Sequence, residues 1–357
     1  MLFEHVSFAG HERVVHAIDK TSGLQAIIAV HSTALGPAAG GCRLWRYECE
    51  VDALTDVLRL SHGMTYKNAI ASLPLGGGKC VVLAPEEIAD RPALFNALGR
   101  AIQDLSGLYW TAEDVGVSPA DMAAIASATS FVAGLDQGEH ASGDPSPVTA
   151  RGVFTCMLAG VRRLWGQEDL SGLTAGVQGL GHVGWALAEL AHRAGARLLV
   201  SDLDAARCQA AVERLSAEVV APEAIVAQPM DIFVPCALGG VLNQASIPNL
   251  KARLICGAAN NQLADLSAAE ALAKAGHLYL PDFVVNAGGI INVASEILER
   301  REPEWLEEKL AGLATTIERV MEQAAAGDGN TARAANALAE ARIAAGSMES
   351  SPLRLSA

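Results

Sequence analysis

Apolar positions along the chain change period repeatedly, and the changes mark out the elements. Residues 14–18 and 24–30 are apolar and β-rich on either side of a Lys20-Thr21-Ser22-Gly23 turn, which predicts a hairpin. Over 51–66 apolar residues recur at helical spacing, with Leu54, Val57, Leu58 and the Leu60/Met64 region on one face. Short strands are predicted at 79–83 and 108–112, an amphipathic helix at 92–105 between them, and a helix start at Val117-Ser118-Pro119. The loop 138–147, with Gly-Asp-Pro-Ser-Pro, marks a crossing between domains, and a long helix follows over 148–164. Strands at 173–178 and 197–201 flank a helix at 185–194, and further strands follow at 231–236, 253–257 and 277–280. From Ile290 the pattern is helical, broken at Gly327-Asp328-Gly329-Asn330 before a last helix over 331–345. Strands alternating with helices predict an α/β protein.

One stretch resists assignment. Residues 35–43, Leu-Gly-Pro-Ala-Ala-Gly-Gly-Cys-Arg, are too rich in glycine and small side chains for a regular element. They read as a connecting loop, or as a ligand wall presenting bare main chain.

Length and composition narrow the function. A chain of 357 residues can build two cores, and 51% hydrophobic with 18% charged residues is ordinary for a water-soluble protein. A net charge of −14 argues against nucleic acid or an anionic membrane as partner. The first residues have neither the basic start nor the apolar run of a signal peptide, and no stretch reaches about eighteen apolar residues. Seven cysteines without a Cys-x-x-Cys pair read as reduced thiols in a cytoplasmic protein, and no metal site is expected.

Only six of the 26 basic residues are lysines, yet two of them, Lys67 and Lys79, stand twelve positions apart in a run with no other charge. Lysine, unlike arginine, can be tuned by burial or by a neighbouring cation to serve as acid or base near neutral pH. Gly76-Gly77-Gly78 before Lys79 would let substrate approach closely, although a glycine turn leading into a strand reads equally well. A phosphate-binding P-loop is excluded, because the required first glycine is Leu73. Asp114 follows the strand at 108–112, at the end that faces the ligand crevice in open α/β sheets. It could equally serve the helix start just beyond it.

A second constellation is more specific. The strand at 173–178 runs into Gly179-Leu180-Gly181-His182-Val183-Gly184, a helix follows, and the next strand stops at Asp202. That order is the dinucleotide fingerprint: Gly179 for the tight turn, Gly181 for approach to the pyrophosphate, Gly184 for close helix packing. The helix N-terminus offers free N–H groups to phosphate. Asp202 is placed to bind ribose hydroxyls and repel a 2′-phosphate, which favours NAD over NADP. The loops holding Asn260 and Asn261, and Asn286, fall where the nicotinamide end should lie, or carry asparagine for its turn conformations.

These motifs together resemble the Glu/Leu/Phe/Val amino-acid dehydrogenase family, and within it the leucine dehydrogenases. The matching stretches are 31–43, 63–79, 111–116, 143–149, 179–202, 235–239, 257–263 and 281–293. The resemblance implies an N-terminal mixed-sheet substrate domain (1–137, joined by the C-terminal helix 330–357) and a Rossmann-type NAD-binding domain (138–329), with a cleft between them. It implies reversible oxidative deamination: an L-amino acid, NAD and water give a 2-oxo acid, ammonium and NADH. By the same resemblance Lys67 and Asn261 hold the substrate carboxylate, Lys79 activates water, and Asp114 exchanges protons with the amino group. Gly40 and Gly41 offer main-chain contacts, Thr149 and Asn286 fix the nicotinamide, and Ala237 and Asn260 join the cofactor site.

Glutamate-specific relatives carry a lysine where this chain has Ala39, so an apolar substrate is expected. Ala39, Ala112, Ile290 and Val293 would line its side-chain pocket. Ala39 is smaller than the usual leucine there and Ile290 larger than the usual valine. The expected substrates are leucine and other branched-chain amino acids. A phenylalanine or other aromatic amino-acid dehydrogenase is the alternative, and a non-catalytic NAD or amino-acid sensor a remote one. The resemblance further implies a homo-oligomer, a dimer or an octamer.

Overall fold

The computed structural model describes residues 10–135, 141, 143–300 and 302–349. The extreme N-terminus, and residues 138–140 and 142 of the expected crossing at 138–147, lie outside the described residues. The chain divides into two compact units; the helix Gly288–Ile297 begins in the second and from Ile290 onward belongs to the first, as does the helix Thr331–Glu349 from Ala339.

The first unit is built on a five-stranded sheet in the order β1-β2-β4-β3-β5. β1 (Arg13–Asp19) and β2 (Leu24–Ser32) form the expected hairpin, and β2 is antiparallel to β4 (Gly76–Leu83). β3 (Ala38–Trp45) lies parallel to both β4 and β5 (Tyr109–Glu113), so the sheet is mixed. α2 (Arg91–Gln103) and α3 (Pro119–Ala126) share a core with the sheet that includes Ile28, Val82, Phe95, Leu98, Tyr109 and Met122. α1 (Glu50–Ile70) packs Ala53, Leu54, Val57 and Leu58 with Ile27, Ala29 and Val81.

Two expectations are corrected here. The stretch 35–43 is not a loop: from Ala38 on it is a strand inside the sheet, paired on both sides, with Ala38, Ala39, Gly40, Gly41 and Cys42 buried. The three glycines before Lys79 are likewise not a turn but the first residues of β4. Tertiary packing overrides the poor local strand preference of glycine. A Cβ on Gly77 would lie 2.1 Å from the Thr65 nitrogen on α1, so the helix can approach only a bare backbone. The last two turns of α1 therefore bury polar side chains. Asn68 Nδ2 donates to Gly76 O at 2.5 Å and to Ala39 O at 3.3 Å, and Thr65 is likewise buried.

The second unit carries α4 (Ser146–Trp165), then β6 (Thr174–Gln178), α5 (His182–Arg193), β7 (Arg197–Ser201), α6 (Ala205–Leu215) and β8 (Glu218–Val219). β9 (Ile232–Pro235), β10 (Leu254–Ile255), α7 (Leu266–Ala275), β11 (Leu278–Tyr279) and α8 (Asp282–Val285) follow. All six strands are parallel in the order β11-β10-β9-β6-β7-β8, the doubly wound arrangement with its switch point between β6 and β9. The last helices are α9 (Gly288–Ile297), α10 (Pro303–Ala325) and α11 (Thr331–Glu349). The far end of α11 is fastened within the first unit. Arg342 Nη1 donates to Ala69 O at 3.0 Å and Tyr66 OH to Glu340 at 3.0 Å.

Candidate active site

In the first unit β4 delivers Lys79 and the end of β5 delivers Asp114, and the two meet. Lys79 Nζ lies 2.6 Å from Asp114 Oδ2, with the Lys79 side chain only 7% exposed. What faces the Lys79 ammonium is thus a carboxylate. Arg43 Nε donates to the same Asp114 oxygen at 3.2 Å, and its Nη1 to Asp56 Oδ2 at 2.9 Å. Burial pulls the Asp114 pKa upward, but Lys79 in direct contact and then Arg43 outweigh it, and the carboxyl is held below its ordinary range. Asp114 does not cap α3: Ser118 does so, in a reciprocal capping box with Asp121.

The floor beside this pair is glycine of necessity. A Cβ at Gly41 would sit 2.8 Å from Asp114 Cβ, 3.0 Å from Glu113 O and 3.1 Å from Lys79 Nζ. Tyr109, fully buried, donates its hydroxyl to Gly40 O at 2.8 Å, so that carbonyl is already held from within the protein. Lys67 is half-buried in the last turn of α1, the helix laid on β4. Ala39 and Ala112 are buried on β3 and β5, with Ala112 the register partner of Gly41. Ile290 and Val293, 8% and 9% exposed, belong to the part of α9 in this same unit. Glu296 on that helix accepts from Gly134 N at 2.6 Å.

In the second unit the glycine loop lies at the switch point. Gly179 (φ +97°) turns against the Cys236–Ala237 peptide, 2.9 Å from the Ala237 nitrogen to the position of a Cβ. A Cβ on Gly184 would fall 2.0 Å from Gly179 O, which is the close packing the fingerprint requires. Over Gly181 the space is open, and α5 begins there with no side-chain cap, so a phosphate can come close to the start of the helix. His182 and Val183 form the first turn of that helix, and Leu180 N donates to Asp202 Oδ2 at 2.6 Å. Asp202 therefore also ties the loop to the end of β7, and its Oδ1 accepts from Asp204 N at 2.8 Å.

Thr149, in the first turn of α4, bonds Pro145 O at 2.9 Å, and a Cβ on Gly289 would meet its hydroxyl at 2.9 Å. Asn286 is 5% exposed and donates to Ala258 O at 3.1 Å and Asn260 Oδ1 at 2.9 Å, while its own Oδ1 is buried without a hydrogen-bond partner. A buried acceptor left open at a ligand crevice fits the amide of a nicotinamide. Asn261 is exposed, belongs to the second unit and has φ +52°, the left-handed turn that asparagine tolerates. These residues fit a dinucleotide. Among the described residues no group of three or more His, Cys, Asp or Glu could hold a metal ion, and no helix is long and apolar enough to cross a membrane.

Sequence reasoning missed Arg43, Tyr109 and Glu296. Arg43 lay in a presumed loop and Tyr109 in an apolar strand. Glu296 alone carried a readable signal, a single acid within the apolar run of α9.

Residues 11–131 match the family model of the Glu/Leu/Phe/Val dehydrogenase dimerisation domain, and residues 200–350 that of glutamate/leucine/phenylalanine/valine dehydrogenase. The chain is 44% identical to a leucine dehydrogenase of Bacillus cereus over 343 residues, covering 96% of this chain and 93% of the relative. It is 44% identical to a phenylalanine dehydrogenase of Lysinibacillus sphaericus over 294 residues, 81% of this chain and 77% of that one. The crystal structure of L-tryptophan dehydrogenase from Nostoc punctiforme superposes with a TM-score of 0.85 at 40% identity, over 97% of this chain and 99% of that one. With two family models matched and 44% identity over 96% of its length, the chain belongs to the Glu/Leu/Phe/Val family of amino-acid dehydrogenases.

Proposed function

We propose that the protein catalyses the NAD-dependent, reversible oxidative deamination of L-leucine and other branched-chain L-amino acids, giving 2-oxo acids and ammonium, as a cytoplasmic homo-oligomer. The observation that carries this reading is the buried Lys79–Asp114 contact at 2.6 Å beside Gly41 and Ala112. NAD, when bound, supplies the hydride acceptor; the glycine loop 179–184, Asp202, Thr149 and Asn286 are the residues that would hold it. Lys67 holds the substrate carboxylate. Lys79 orients and activates the water that adds to the imino carbon, and steadies the oxygen of the resulting carbinolamine. Asp114, kept ionised by Lys79 and Arg43, takes and returns protons at the substrate nitrogen, which leaves as ammonium. Asp202 favours NAD, since a 2′-phosphate would meet its charge.

Apolar substrate choice rests on Ala39, Ala112, Ile290 and Val293, all apolar and buried. The small Ala39 also supports the second reading, an aromatic substrate, as do the relatives named phenylalanine dehydrogenase and L-tryptophan dehydrogenase. One or two methylenes separate such substrates by only about 1–3 kcal/mol. The match of residues 11–131 to a dimerisation domain supports self-association. Replacing Lys79 by Ala tests the chemistry: turnover should vanish while NADH binds as before. Near-normal rates in that variant would remove the water-activating role.

A further inference from the structure

α9 contributes Ile290 and Val293 and holds one buried charge, Glu296, at 8% exposed. A carboxylate is costly to bury unless it is hydrogen-bonded, so its partner is informative. Glu296 Oε2 accepts from Gly134 N at 2.6 Å, a short charge-assisted bond. The segment holding Gly134 runs along β5 as a short extra strand. Thr111 N donates to Phe131 O at 3.1 Å, Ala133 N to Thr111 O at 2.9 Å, and Thr111 bridges Val132 in parallel. The next donor along that segment, Gly134 N, goes to Glu296. The position of a Cβ at Gly134 is 4.0 Å from Ala112 Cβ and 3.8 Å from Glu113 N.

The bond therefore fastens α9 beside Ala112, two residues before Asp114. Val293 stands one turn before Glu296 and Ile290 one turn before Val293, so the three share one side of the helix. We propose that Glu296 is a positioning residue for substrate specificity: its bond to Gly134 fixes the separation of Ile290 and Val293 from Ala112, and so the width of the apolar pocket. The proposal rests on the apolar-pocket reading given under Proposed function.

The test compares wild type with Glu296→Ala, Glu296→Asp and Glu296→Gln, measuring kcat/KM for leucine and phenylalanine, the Kd for NADH, and hydrogen exchange at the Gly134 amide. Glu296→Ala should move the leucine-to-phenylalanine ratio about tenfold toward phenylalanine, the scale of one methylene of pocket space. NADH affinity should hold and Gly134 should lose protection. Glu296→Gln, whose amide oxygen still accepts, should keep the wild-type ratio. Glu296→Asp, one methylene shorter, should fall between, and it carries the test if the alanine variant does not fold. An unchanged ratio in the Ala and Asp variants, or Gly134 protection unaffected by them, overturns the proposal. A wild type inactive on every apolar amino acid overturns instead the function on which it rests.

Discussion

Gly41→Ala tests how tightly the catalytic pair is placed. The new methyl carbon would lie 2.8 Å from Asp114 Cβ and 3.0 Å from Glu113 O. Non-bonded carbons settle at about 3.5–4.0 Å, so the first contact must open by about 0.7 Å or more. Lys79 Nζ, at 3.1 Å, ends a flexible side chain and can retreat, whereas the Glu113 carbonyl and Asp114 Cβ are fixed to the backbone at the end of β5 and one residue beyond it. Overpacking of this kind costs about 1–3 kcal/mol of stability. Its larger effect falls on the 2.6 Å contact between Lys79 and Asp114, because a misplacement on the order of 1 Å can lower a rate about 10²-fold. The assay follows NADH formation with leucine, alongside NADH binding by fluorescence and thermal melting. The expected result is a fall in kcat/KM of about 10²-fold, with NADH affinity unchanged because the glycine loop belongs to the other unit. A folded variant with kcat/KM within about threefold of wild type would refute the claim that this floor positions the pair.

Arg43→Met removes one of the two cations on Asp114, so the acid limb of the pH profile of kcat/KM should move to higher pH. A limb that stays in place would free Asp114 from that assignment. Asp202→Asn keeps an oxygen to accept from Leu180 N but loses the charge, so preference for NAD over NADP should weaken without loss of the fold. An unchanged preference would count against the ribose contact. His11, His31 and His62 stack edge to face at 4.8 and 4.6 Å, and burial, then His62 and His11, lower the His31 pKa to about 4. The unfolded imidazole titrates near 6.5 and binds the proton first, so this contribution is present above about pH 6.5 and lost as pH falls toward 4. Allowing for the partial exposure of His31, it is worth about 1–2 kcal/mol. His31→Gln should therefore lose less stability than wild type between pH 7 and 4.5 in urea melts; an equal loss would contradict this.

What could be read from the sequence is what depends on local spacing. The glycine loop, the helix after it and Asp202 fall within 24 consecutive residues, and their geometry follows from chain order alone. Lys79 and Asp114 stood out by type and by their places at a strand's start and end. β3 and the glycine start of β4 could not be read, because their reason for being strands lies on α1 and β5: Thr65 fills the space over Gly77, and the Tyr109 ring that over Gly78. Arg43 and Tyr109 matter through partners about 70 residues away, and Glu296 through one 162 residues away. Nothing in local pattern encodes such distances.

The most direct test of the central claim follows NADH absorbance while the purified protein is given NAD with leucine, valine, phenylalanine or glutamate in turn. The account predicts NADH formation with leucine and valine and none with glutamate, whose side-chain carboxylate would find Ala39 in place of a counter-charge. NADH formation with glutamate alone, or with none of the four while NADH still binds, would contradict it.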